Sequence, residues 1–96
     1  MTAFFIANVT VKNPEKMAQY GEAAAKTFPA YGGELFLKGK RLEDLAGSAD
    51  HQMAVIVKFP DSQNLNNWYK SDEYQALIPL REEAADMTLV SHEVPL

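Results

Sequence analysis

Residues 66–86, NNWYKSDEYQALIPLREEAAD, decide how this chain is read. Trp68, Tyr69 and Tyr74 surround a helix-start signal at Ser71, whose hydroxyl can accept from a free N–H of the turn that follows. Asp72 and Glu73 stand where the positive end of a helix dipole favours anions. Tyr74, Leu77 and Ile78 then point inward, and Pro79 starts a further short helix through Asp86. Just past that proline comes Arg81, the only arginine of the C-terminal half. Upstream, Pro60-Asp61-Ser62 turns the chain into a helix with Leu65, Trp68 and Tyr69 on one side.

Working outward, Met53–Phe59 (MAVIVKF) is apolar at both parities, as a strand covered on both faces reads. Ala3–Val11 has the same character. Asn13-Pro14 begins a helix, Asn13 as cap and Pro14 at the first helical position, where a missing N–H costs nothing. Met17, Tyr20, Gly21, Ala24 and Phe28 follow as one apolar stripe. Pro29 disfavours helix at Phe28, and Gly32-Gly33 supply the positive-φ residues that let the chain reverse. Glu34–Lys38 is a short strand of alternating polar and apolar residues. A polar stretch with Gly39, Gly47 and Asp50 connects it to Met53, and its Leu42 and Leu45 are expected to tack it onto the body. Thr88–Val94 closes the chain as a last strand.

The order is β-α-β-β-α-β, the α+β ferredoxin-like pattern, over a single domain spanning residues 1–96. Its antiparallel four-stranded sheet has the order 4-1-3-2, so the first and third strands are central. Those are the two that read as buried on both faces. Helices cover only one face of such a sheet. The economical cover for the other is the same face of a second copy, which makes the expected assembly a homodimer built sheet on sheet.

With 96 residues the chain lies near the lower end of what buries a self-sufficient core, and a 47% hydrophobic content points to burial beyond one core. The net charge of −4, without a basic patch interleaved with aromatics, argues against nucleic acid. The absence of cysteine excludes disulfides, thiolate metal sites and a cysteine nucleophile. MTAFFIANVTV lacks the pattern of a signal peptide, and Asn8 and Thr10 break an apolar run far too short to span a membrane. The expectation is a cytoplasmic protein without membrane contact.

The chain resembles the domain-of-unknown-function 1330 family, within the dimeric α+β barrel group. The likeness rests on NPEKMAQY, on AYGGELFLKG and on VIVKFPDSQNLNNWYKSDEYQALIPLREEAADMTLVSHE. Its most specific element is the Trp/Tyr-x-Ser-x-x-Tyr-Gln…Leu-Arg core of the last segment. The chain departs from the family at the end, where a strand of type LVLVEG is usual and LVSHEVPL stands, with Ser91 and His92 replacing apolar residues. The resemblance implies the fold and no established biochemistry. The wider group includes small monooxygenases, isomerases and dehalogenase-like enzymes beside proteins with no known activity, which is analogy at the level of fold.

Trp68, Tyr74 and Tyr31 can wall a ligand pocket between helices and sheet, or Trp68 and Tyr74 can be core residues whose polar tips find local partners. Arg81, at the start of a short helix, is poorly placed for the helix dipole and its motif position turns it inward. It is either an anchor for an anionic ligand group or an ion pair with Glu34, Asp72 or an acid of a partner subunit. Asn8 is a pocket wall or a buried amide satisfied by a neighbour. His92 shares the parity of Thr88, Val90 and Val94 and is the candidate general base, facing either the dimer seam or the pocket. Without a neighbour to orient it, a structural role is the alternative. His51 is expected in solvent, and Ser71 is a cap. Two histidines with scattered acids make no metal signature, so neither metal nor cofactor is expected.

Two functions fit these residues. One is a small dimeric protein that binds, or acts without cofactor on, an aromatic or carboxylated metabolite held between sheet and helices. The other is a non-catalytic interaction module whose dimer is the functional unit. A closed cavity beside Trp68 and Arg81, with Arg81 lacking an acid partner, favours the first.

Overall fold

Strict alternation along β1 (Ala3–Val11) divides the molecule into two faces: Ala3, Phe5, Ala7 and Val9 are buried, while Phe4, Ile6, Asn8 and Thr10 are half-buried. A computed structural model describes residues 1–95. The remaining elements are α1 (Pro14–Ala25), a 3-10 turn (Pro29–Tyr31), β2 (Glu34–Lys40), β3 (Met53–Phe59), α2 (Ser62–Lys70), α3 (Asp72–Gln75), α4 (Ile78–Ala84) and β4 (Ala85–Glu93). All strand pairs are antiparallel in the order β2-β3-β1-β4, the expected ferredoxin-like order counted from the other edge.

Local chemistry sets the helix ends. The Asn13 side chain accepts from the Lys16 N–H at 3.1 Å, with Pro14 in the first turn. Ser71 closes α2 and opens α3, donating to the Trp68 carbonyl at 2.6 Å and accepting from the Tyr74 N–H at 3.2 Å. Gly32 takes φ 73°, the left-handed conformation that glycine adopts without cost, and a Cβ on Gly33 would lie 2.6 Å from the Phe59 ring. Several boundaries differ from expectation, and β4 ends at Glu93 rather than Val94. β2 runs on to Lys40, and α4 stops at Ala84 so that β4 begins at Ala85, because Lys12 and Asn13 both donate to the Ala84 carbonyl and draw the chain into the sheet there.

The helices share one side of the sheet. There Val57, Phe59, Trp68 and Tyr74 are almost wholly buried, and Phe5 stacks on Trp68 with centroids 5.1 Å apart. Among the described residues the other side carries no helix. Across it Ile6 stands opposite both Ile56 and Val90, and Leu37 stands opposite Ile56, so an apolar row crosses all four strands. Leu37 and Val90, at the two ends of that row, are 59% and 49% exposed.

The connection between β2 and β3 departs from its expected packing. Leu42 and Leu45 do not tack it down; they are 94% and 91% exposed. Hydrogen bonds hold it instead: Arg41 N–H to the Gln52 carbonyl, Gln52 N–H to the Val9 carbonyl, and the Thr10 hydroxyl to the Asp50 carbonyl. His51, expected in solvent, is half-buried with Nδ1 at 3.1 Å from the Thr10 hydroxyl. Among the described residues no helix is long and apolar enough to cross a membrane.

Candidate functional site

A cavity of about 410 Å³ opens between α1 and the helix-bearing side of the sheet. The strands supply its floor through Phe5, Ala7, Val9, Val55, Val57 and Leu89. α1 supplies the roof through Met17, Tyr20, Gly21 and Ala24, and Phe28 and Trp68 close one end. The inward stripe of α1 mixes Met17 and Tyr20 with Gly21 and Ala24, and the small residues leave space beneath them. A Cβ built on Gly21 meets nothing within 4 Å. The wall is almost wholly apolar, and its titratable members are Tyr20, Glu34 and Lys38.

Trp68 is fixed on every side. α2 begins where the Asp61 carboxylate accepts from the Asn64 N–H at 2.8 Å. Seven residues on, the indole Nε1–H donates to the Thr27 hydroxyl at 2.8 Å, and Thr27 donates in turn to the Ala24 carbonyl at 2.6 Å. Tyr74 lies against the indole with ring centroids 4.3 Å apart. The indole therefore offers a ligand only the part that the cavity exposes.

Behind that wall runs a polar chain. The Tyr20 and Tyr74 hydroxyls lie 2.7 Å apart, and one Arg81 N–H group donates to Tyr74 at 3.1 Å and to Tyr69 at 3.3 Å. The other terminal nitrogen of Arg81 meets the exposed Glu82 carboxylate at 3.1 Å, so the guanidinium does have an acid partner, which is neither Glu34 nor Asp72 but its own neighbour in sequence. Burial, together with the adjacent Tyr74, raises the Tyr20 phenol well above the usual tyrosine value. Burial works against the Arg81 charge, but its hydrogen bonds to Tyr69, Tyr74 and Glu82 outweigh that and hold the guanidinium ionised. Tyr20 is therefore a neutral hydroxyl, and Arg81 a cation hydrogen-bonded to three neighbours.

The residues singled out in the sequence fall into three groups. Trp68 lines the cavity. Tyr74 and Arg81 are joined to it through Tyr20 but are not on its wall. Tyr31 stands on the 3-10 turn, which packs on α2, next to Phe28 and Pro29 that do line the cavity. Asn8 and His92 belong to the helix-free side: Asn8 stands between Ala54 and Thr88, and exposed His92 stacks on Phe4 with centroids 5.1 Å apart. His92 also borders a separate hollow with Ser62, Asn66 and Ser91. No group of three or more His, Cys, Asp or Glu able to hold a metal ion occurs among the described residues.

Sequence reasoning passed over Tyr20, Gly21, Phe28 and Lys38 as wall residues. A signal for the first three was present. An apolar stripe that mixes aromatics with glycine and alanine over a sheet leaves volume unfilled. For Lys38 the signal was misleading, because β2 bulges between Leu35 and Leu37. Simple alternation puts Lys38 on the side of Phe36; the bulge puts it opposite Val55, on the cavity side.

Comparison with known proteins agrees with this architecture. The model of the family described as Domain of unknown function (DUF1330) matches residues 2–94, and the chain belongs to that family. None of the curated proteins matches it. Among solved structures, it is similar to a protein of unknown function from Rhodopseudomonas palustris, with TM-score 0.81 and 19% identity over 99% of this chain and 82% of that one. It is also similar to SnoaB, a cofactor-independent oxygenase from Streptomyces nogalater, with TM-score 0.71 and 11% identity over 99% and 94% of the two chains. A dimeric ferredoxin-like protein of unknown function from Jannaschia sp. CCS1 gives TM-score 0.71 and 16% identity over 98% and 100%. At these identities the likeness is one of fold.

Proposed function

We propose that this member of the DUF1330 family is a dimeric cytoplasmic protein that binds a small aromatic metabolite in the cavity between α1 and the sheet. The observation that carries the reading is the cavity itself. Its volume of about 410 Å³ falls within the ordinary range for ligand pockets, and Phe5, Phe28 and Trp68 offer it ring faces and edges. Binding is favoured over catalysis by the wall chemistry. Tyr20 is held neutral and hydrogen-bonded, while Arg81 and His92 lie off the wall.

The dimer rests on the apolar row Leu37–Ile56–Ile6–Val90, which a second copy of the same face would cover. Several proteins of the same fold are described as dimeric, which supports the assembly. That row also favours the second reading, a non-catalytic interaction module, in which the dimer is the functional object and the cavity is incidental.

Thermal unfolding in the presence of a panel of small aromatic metabolites separates the two. A ligand that binds only the folded state at about 100 times its Kd stabilises by about 2.7 kcal/mol. The binding reading predicts such a shift for at least one aromatic compound and its loss in Gly21→Leu, which fills the cavity. A panel without any shift selects the interaction module.

A further inference from the structure

We infer that the metabolite is an amphiphilic anion, an aromatic carboxylate whose ring enters the cavity and whose carboxylate meets Lys38 at the mouth. The inference rests on the cavity reading above and adds the ligand's charge. Among the described residues Lys38 is the one cation of the wall, on edge strand β2 opposite Val55. Among the described residues it has no acidic partner, whereas Lys58, on the helix-free side of the same sheet, pairs with Glu34 at 3.7 Å. Glu34, the other charged residue of the wall, is thereby engaged away from the cavity. The mouth thus carries an ammonium without a salt-bridge partner among the described residues, above an apolar interior.

Arg81 cannot serve as this anchor from where it stands, since its guanidinium is hydrogen-bonded to Tyr69, Tyr74 and Glu82 behind the wall. The competing account of Lys38 is that of a charge guarding an edge strand against pairing with another sheet. A guarding lysine needs only solvent and is indifferent to what occupies the cavity. An anchoring lysine makes affinity depend on ligand charge.

Naphthoate and its neutral isostere naphthamide are suitable probes, titrated calorimetrically against the full chain with Trp68 fluorescence as a second readout. Wild type is expected to prefer naphthoate by roughly fivefold, the ratio that one half-solvated charged contact supports. The preference should fall with added salt, as a screened contact must. Lys38→Met should abolish the preference for naphthoate over naphthamide, and Lys38→Arg should retain it. Gly21→Leu should weaken both probes together. Equal affinities in wild type, or a preference that survives Lys38→Met, would overturn the anion inference and leave the cavity reading standing. Failure of both probes to bind wild type would overturn the cavity reading as well.

Discussion

The Tyr20 hydroxyl lies 2.7 Å from the Tyr74 hydroxyl, joining the middle of α1 to α3 across 54 residues of sequence. Tyr74 is fully buried and Tyr20 nearly so, and Arg81 completes the chain from the other side. An unpaired hydroxyl here would carry its full desolvation cost. The contact therefore specifies how α1 sits over the sheet, and with it the height of the cavity.

Replacing Tyr74 by Phe should destabilise the fold by about 1–3 kcal/mol, because it strands both the Tyr20 hydroxyl and one Arg81 N–H bond. Tyr20→Phe strands only the Tyr74 hydroxyl, which keeps Arg81 as donor, so its cost should be smaller. Urea unfolding of the two variants and of the double variant tests this. Strictly additive costs would contradict a shared network.

The same contact predicts alkaline lability. The Tyr20 phenol is raised in the folded state by burial and by Tyr74, while in the unfolded chain it ionises near the ordinary value of about 10. The unfolded state therefore releases a proton first as pH rises. The stabilisation is fully present below about pH 10 and declines above it. A stability profile across that range should fall more steeply for wild type than for Tyr20→Phe, and a phenolate titration followed by ultraviolet absorbance should show one tyrosine ionising late.

Arg81→Lys should cost about 1–2 kcal/mol, since an ammonium cannot reproduce a planar fork that serves Tyr69, Tyr74 and Glu82 together. Its effect on naphthoate affinity should be slight if the anchor is Lys38. A large loss of affinity in Arg81→Lys, with the preference intact in Lys38→Met, would return the anchoring role to Arg81.

On the helix-free side, Ile56→Asp places a carboxylate in the centre of the row between Leu37 and Ile6. Sedimentation at micromolar concentration should show two copies for wild type and one for the variant, with the fold retained because Ile56 points away from the Trp68 core. A wild-type monomer would refute the sheet-on-sheet assembly.

Trp68 reports on the interior. Truncation to Ala should cost about 3–5 kcal/mol for so buried a side chain. Thr27→Val should cost about 1–3 kcal/mol by leaving the indole N–H without its acceptor. Chemical denaturation followed by circular dichroism measures both, and a neutral Thr27→Val would show that the indole finds another partner.

Most of the architecture was written in local sequence. Apolar residues at both parities of Ala3–Val11 and Met53–Phe59 specified the central strands, and Asn13, Ser71 and Pro79 set helix starts where the structure has them. These features depend on the residue and its near neighbours, so spacing reveals them. The inward placement of Tyr74 was equally legible, because helical period decides it, and that of Arg81 followed from its position in the motif.

What only the tertiary structure decided is which groups share a space. The parity of β2 was unreadable, since a bulge at Phe36 moves Lys38 from the side of Lys58 to the side of Val55, and a bulge leaves no mark in an alternating pattern. The cavity likewise follows from the separation of α1 and the sheet, held by Tyr20 on Tyr74 and left open by Gly21. The sequence by itself determined strands, helix caps and the inward stripe that carries Tyr74, because these obey periodicities of a few residues. The site depends on contacts between residues tens of positions apart, and such distances are set only when the chain has packed.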